Sequence, residues 1–194
     1  MTATVLAISG SLRADSYNTL LLHAARKHNP GGLDIEIYEG LRDIPPYDGD
    51  LDHPDRRPAA VTELRRRAAE ADGLLIATPE FNYSIPGVLK NALDWISTNP
   101  TGGETVPLHR KPIAILGAAP TNFGTVRSQL ALRQVFVCTG SEVVVKPEVH
   151  VFRAHERFDE AGNLTDETSV ALLRELLTAL RTTIESRGGT APAA

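Results

Sequence analysis

Short apolar runs alternate with longer amphipathic segments along this chain, and no other feature restricts its fold as strongly. The runs occupy residues 4–9 (TVLAIS), 33–38 (LDIEIY), 73–78 (GLLIAT), 112–118 (PIAILGA) and 141–145 (SEVVV). Each reads as a strand. Four of them are continuous, as expected when both faces of a parallel sheet are covered by helices. The run at 33–38 alternates instead, and its polar members Asp34 and Glu36 mark an edge strand with one solvated face. Helices are expected over residues 16–27, 57–71, 87–97, 125–136 and 166–186. The last has the clearest stripe, with Val170, Leu173, Leu176 or Leu177, Leu180 and Ile184 at three- and four-residue steps.

Strict alternation of five such strands with five helices predicts an α/β fold, a doubly wound five-stranded parallel sheet in the flavodoxin-like order 2-1-3-4-5. The 194 residues suit one domain over 1–186, and residues 187–194 (RGGTAPAA) read as a disordered tail. The stretches 29–32, 44–58 and 98–107 are too short for linkers and read as loops. A net charge of -4 disfavours broad electrostatic binding to nucleic acid or an anionic membrane. The lone cysteine, Cys138, can make neither an internal disulfide nor a four-ligand zinc site, and its context (RQVFVCTG) predicts an inert core thiol. The first apolar run is too short for a signal peptide or a membrane span, so a cytoplasmic protein is expected.

In a sheet of this kind ligands bind beyond the carboxyl ends of the strands, where the strand order reverses. Three segments therefore matter. The first, residues 9–18 (SGSLRADSYN), carries hydroxyls at Ser9, Ser11 and Ser16, the Asn18 amide, the Arg13 guanidinium and the free N–H groups of a helix start, which are donors for a phosphate. Ser16 or Asp15 acting only as a helix cap is the plainer alternative. There is no Walker pattern and no G-x-G-x-x-G spacing, so neither an NTPase nor a Rossmann dinucleotide site is indicated. The second segment, residues 78–87 (TPEFNYSIPG), places Phe81 and Tyr83 in a polar loop, where they either cover a flat ligand or shield the sheet end. The third, residues 117–125 (GAAPTNFGT), has small residues that let a planar ligand approach the backbone, with Ala119, Asn122 and Gly124 as candidates. Lys90 and Asp94 have the spacing of a helical ion pair.

The motifs G-S-L-R-x-x-S-x-N at residues 10–18, P-E-[YF]-N-x-S-x-P-G-x-L-K-N-A-x-D-W at 79–95 and G-T-x-R-x-Q-x-x-L-R-Q at 124–134 make the chain resemble the NADPH-dependent FMN reductase family, which includes quinone, chromate and azo-dye reductases. The resemblance is strongest from Val5 to Phe136. It implies that Ser11, Arg13, Ser16 and Asn18 bind the FMN phosphate, and that Pro79, Glu80, Phe81 and Asn82 offer backbone hydrogen bonds to the isoalloxazine edge, with Ser84 nearby. It also implies a homodimer or homotetramer with the helix over 87–97 and neighbouring loops at the interface. Phe81 stands where family members often carry Tyr, and Thr121 where Gly is frequent.

The reaction so implied is hydride transfer from NADPH or NADH to flavin N5, then from the flavin to a small-molecule electron acceptor (quinone, free flavin, azo compound or metal oxyanion) in a ping-pong cycle. No catalytic side chain is expected, because the chain has no G-x-S-x-G elbow and its six His show no metal-ligand spacing. No metal site is expected either: the Asp48 to Asp52 run begins like a calcium loop but has His53 and Ala59 where Gly and Glu are required. An FMN electron carrier without NAD(P)H turnover and an FMN-binding regulatory module are the alternatives. Arg127, Gln129 and Arg133 are equally suited to intersubunit contacts and to solvent.

Overall fold

A computed structural model describes residues 2–188. Its strands β1 (Ala3–Ser9), β2 (Leu33–Tyr38), β3 (Gly73–Ala77), β4 (Pro112–Ala118), β5 (Glu142–Val143) and β6 (Val149–Val151) form one parallel sheet in the order β2-β1-β3-β4-β5, with β6 also paired to β4. The helices are α1 (Tyr17–Lys27), α2 (Ala59–Glu70), α3 (Gly87–Ser97), α4 (Val126–Thr139) and α5 (Glu167–Gly188).

The continuous apolar runs are explained by two cores, one on each face of the sheet. Val5, Ala7, Leu75, Ala77, Ala114 and Leu116 point to α1 and α5, while Leu6, Ile8, Leu74, Ile76, Ile113 and Ile115 point to α2, α3 and α4. The period of two along a strand thus fills both cores from the same residues. β2 is an edge: Asp34 and Glu36 are exposed, and Glu36 pairs with Arg67 of α2 at 2.9 Å. On α5, Leu173, Leu176, Leu177 and Leu180 are buried as the stripe requires, and Lys90 pairs with Asp94 at 2.5 Å.

Three expectations need correction. The fifth strand is split rather than running over residues 141–145: β5 pairs with Pro112 and Ile113, and β6, which has no counterpart in the sequence reading, pairs with Leu116 to Ala118. Val145 and Lys146 lie exposed between them, and Pro147 has no N–H to give to a ladder. Cys138 is exposed, not core. Helix α4 runs three residues past Phe136 to a left-handed Gly140, and its buried face follows Ser128, Gln129, Leu132 and Phe136, which turns Val137 and Cys138 outward. Arg187 continues α5 instead of starting a tail, and the remaining tail, 189–194, lies outside the described residues.

The loops 44–58 and 98–107 are joined by a buried charge cluster. Arg57 donates to Asp52 at 2.7 and 2.9 Å and to Glu104 at 2.8 and 2.9 Å, and Asp52 also accepts from the Thr98 hydroxyl at 2.5 Å. Burial alone would raise the Asp52 carboxyl, but Thr98 and Arg57 outweigh it and hold the group below its ordinary value. Asp52 thus serves this cluster, and no group of metal-ligating side chains occurs among the described residues.

Candidate functional site

The three loops converge on a cavity of about 280 Å³ at the carboxyl end of the sheet, beside the reversal between β1 and β3. Ser11, Arg13, Ser16, Asn18, Pro79, Glu80, Phe81, Ala119 and Gly124 line it, nine of the twelve expected residues. Asn82, Ser84 and Asn122 are exposed outside its lining. Asp15, Tyr17, Ala118, Pro120 and Thr121 join the wall without having been singled out as cofactor ligands.

The loop leaving β1 is rich in unspent donors. The backbone N–H groups of Leu12, Ala14, Asp15 and Ser16 have no partner among the described residues. Ser11 accepts from Arg13 N at 3.3 Å and keeps its own hydroxyl proton. The Arg13 side chain is 74% exposed, and its only ion partner among the described residues, Asp15, is 3.9 Å away. Together with the start of α1, this set fits a phosphate monoester.

Two of the expected ligands carry structural duties as well. Ser16 is the N-cap of α1, its hydroxyl accepting from Asn18 N at 3.2 Å. Asn18 is buried, and its amide clamps the end of β4: Nδ2 donates to the Ala118 carbonyl and Oδ1 accepts from Ala118 N, both at 3.0 Å. Asn18 therefore ties the first loop to the third.

The second loop folds into a two-residue hairpin. Phe81 N donates to Ser84 O at 3.1 Å and Ser84 N to Phe81 O at 2.9 Å, across Asn82 at φ 51° and Tyr83 at φ 63°. Positive φ at both central positions is the hairpin turn that matches strand twist, favourable for Asn and costly for Tyr. The hairpin uses up the Ser84 backbone and leaves the N–H groups of Glu80 and Asn82 without a partner among the described residues. Pro79 has no N–H, and its carbonyl accepts from the Thr78 hydroxyl at 2.8 Å.

Glu80 has a role the sequence reading missed. Its carboxylate accepts from Arg127 N at 2.9 Å, Ser128 N at 3.4 Å and Arg127 Nη1 at 2.9 Å, and so caps α4 from another loop. The Arg127 guanidinium lies over the Tyr83 ring at 4.2 Å and the Phe123 ring at 4.9 Å. Of the aromatics in these loops, Phe81 lines the cavity, while Tyr83 and Phe123 form an exposed patch around Arg127. Glu80 and Arg127 lie in different loops, so only the pairing of an acid with a helix start one strand later could have signalled it.

Two glycines let the third loop pack closely against its neighbours. A Cβ at Gly117 would lie 2.0 Å from Thr125 Oγ1 and 2.5 Å from the Thr78 carbonyl, and Gly124 takes φ 58° beside His150. Both must be glycine for the third loop to turn back onto α4.

A model of the NADPH-dependent FMN reductase family matches residues 3–156. The chain belongs to that family. It is 44% identical to an NAD(P)H-dependent FMN reductase of Pseudomonas aeruginosa, covering 91% of this chain and 92% of that one. It is 35% identical to a quinone reductase of Escherichia coli, over 90% and 92% of the two chains. Among solved structures, a flavoenzyme NAD(P)H:(acceptor) oxidoreductase from Paracoccus denitrificans superposes with a TM-score of 0.85 at 31% identity, over 95% and 98% of the two chains.

Proposed function

We propose that the protein is an FMN-dependent NAD(P)H oxidoreductase that delivers reducing equivalents to quinones, free flavin or similar small acceptors. The observation that carries this reading is the loop from Ser11 to Ser16, whose N–H groups without a partner among the described residues, hydroxyls and largely exposed Arg13 open into a cavity walled by Ala119 and Gly124. FMN, when bound, supplies the hydride-accepting and hydride-donating centre. The first loop and the start of α1 hold the phosphate. The free N–H groups of Glu80 and Asn82 are the donors available to the edge of a planar ring and stabilise negative charge there. Asn18 and Glu80 hold the three loops in register, so these donors are fixed before the cofactor arrives. No lining carboxylate is placed as a proton donor, since Glu80 is committed to α4 and Asp15 is exposed.

Self-association fits the exposed apolar residues of α4 and the loop before it. Phe123, Leu130 and Val137 recur every seven residues and are 63%, 55% and 80% exposed. Such a stripe covers itself when two copies pack about a two-fold axis. The interface proposed on this ground lies on α4, whereas the family resemblance implies one at α3. No helix among the described residues is long and apolar enough to cross a membrane, and we place the reaction in the cytoplasm, where the nicotinamide donors are.

Steady-state oxidation of NADPH and NADH with quinone, FMN and ferricyanide tests the reading. Turnover with parallel double-reciprocal lines is the expected result. No oxidation with any acceptor by FMN-loaded protein refutes it.

A further inference from the structure

Strand β6 carries a titratable side chain that the reaction does not use. Val149 and Val151 face the core beneath α1 and α5, so the alternation of a strand turns His150, between them, toward α4. There it stands opposite Gly117 in the register with β4, and a Cβ at Gly124 would lie 3.2 Å from the His150 Cβ. Gly124 lines the cofactor cavity, and His150 does not. His150 therefore sits directly behind the third loop.

Only one nitrogen of its ring is answered. Nε2 faces the Glu148 carboxylate at 3.7 Å, whereas Nδ1 is buried without a hydrogen-bond partner among the described residues. The charged groups around the ring are Glu148, which directly precedes β6, Lys146 before it and Arg133 of α4. Both cations are themselves drawn to Glu148, Lys146 at 3.4 Å and Arg133 at 3.8 Å. Glu148 is thus shared three ways and compensates only part of an imidazolium charge. Burial outweighs it and holds the His150 imidazole below its ordinary value.

A proton on Nδ1 puts a donor where the fold supplies no acceptor. Gln129 Oε1 is another buried acceptor on α4 without a partner, and no hydrogen bond joins it to the ring. Its amide nitrogen is tied to the Thr125 hydroxyl at 3.1 Å and to the Val149 carbonyl at 3.0 Å. Bringing Gln129 Oε1 to Nδ1 therefore means moving the start of α4 across β6. That start is where Glu80 attaches the second loop, and Thr125 adjoins Gly124. An imidazolium is accommodated either by opening the third loop to water or by displacing α4, and both shift elements that frame the cavity.

We propose that His150 is a positioning residue for the cofactor cavity: its neutral ring keeps the third loop and the start of α4 in the FMN-binding arrangement, and its protonation in acid releases them. The proposal rests on the FMN reading above. A ligand filling the cavity against Ala119 and Gly124 holds the third loop closed. Protonation of His150 and FMN binding therefore oppose one another, each weakening the other by the same factor.

The test is a fluorescence titration of FMN into FMN-free wild type, His150→Gln and His150→Phe at a series of pH values from about 5 to about 8. Neither variant can carry the charge. The phosphate of FMN titrates in the same range for all three proteins, so the ratio of wild-type to variant dissociation constants isolates His150. Wild type should lose about fivefold or more in affinity toward acid relative to both variants. The slope is read, not the level, so a variant that binds more weakly at every pH still reports. In wild type itself, the imidazole NMR signal of His150, assigned by its absence from His150→Gln, should titrate at lower pH with FMN bound than without it. Parallel curves for the three proteins, relatively tighter binding by wild type in acid, or the same His150 titration with and without FMN overturns the proposal and leaves the FMN reading standing. Wild type that binds no FMN at any pH refutes both.

Discussion

Asn18→Ala separates two roles that the sequence assigns to one residue. If Asn18 were only a phosphate ligand, its loss would weaken FMN binding and leave the FMN-free protein as stable as before. The structure instead has its buried amide bridging to both backbone groups of Ala118 at 3.0 Å. Truncation orphans an N–H and a carbonyl at the end of a buried strand, each costing about 1 to 3 kcal/mol. Water entering from the open crevice recovers part of that, which leaves a loss of about 2 to 4 kcal/mol. For a chain of this length, melting should fall by about 4 to 15 °C. Differential scanning calorimetry on FMN-free wild type and variant measures it. The cap of α1 belongs to Ser16 and remains, so secondary structure by circular dichroism should persist below the transition. A variant that melts within about 1 °C of wild type while binding FMN more than about tenfold more weakly would refute the clamp and restore the simple ligand role.

Arg13→Ala should weaken FMN binding by about 1 to 2 kcal/mol, modest because the side chain is largely exposed, and fluorescence titration reads it; unchanged affinity would move the phosphate elsewhere. Asp52→Asn leaves Arg57 buried with only Glu104, and should cost about 3 kcal/mol in urea unfolding. Asp52 and Glu104 are both held below their ordinary values, Asp52 against its burial and Glu104 chiefly by Arg57. Their contribution is therefore complete above the unfolded carboxylate range and lost as pH falls through the folded values, so Asp52→Asn should lose less stability than wild type in acid. Burial pushes Lys111 down to about 8 from an ordinary 10.5. Between those values the unfolded chain holds the extra proton, so wild-type stability should rise with pH across that window relative to Lys111→Met, and identical slopes would count against the shift.

The fold was legible because its signal is repeated: four continuous apolar runs, three of them buried on both faces, and one alternating edge leave few architectures, and the order of the sheet follows. The split fifth strand was not, since Val143, Val144 and Val145 look alike in sequence, and only Pro147 and the pairing of β6 with Leu116 to Ala118 distinguish the break. Cys138 was misread because an apolar neighbourhood does not reveal which side of a helix a residue occupies once the helix runs longer than expected. At the site, residue type revealed the donors of the first loop. It could not reveal that Asn18 and Glu80 spend their side chains on Ala118 and on the start of α4, because those partners are brought near only by the fold. Phe81 and Tyr83 were legible as loop aromatics that either cover a flat ligand or shield the sheet end; the fold puts Phe81 in the cavity wall, while Arg127 holds the Tyr83 ring, with Phe123, outside it.

The most direct test of the central claim is an anaerobic titration of the purified protein with NADPH, followed in the visible flavin band. The account predicts a yellow protein that releases FMN, not FAD, on denaturation, whose band bleaches with NADPH and returns on addition of a quinone. A colourless protein that cannot be reconstituted with FMN, or a bound-FMN band that neither NADPH nor NADH changes, would contradict it.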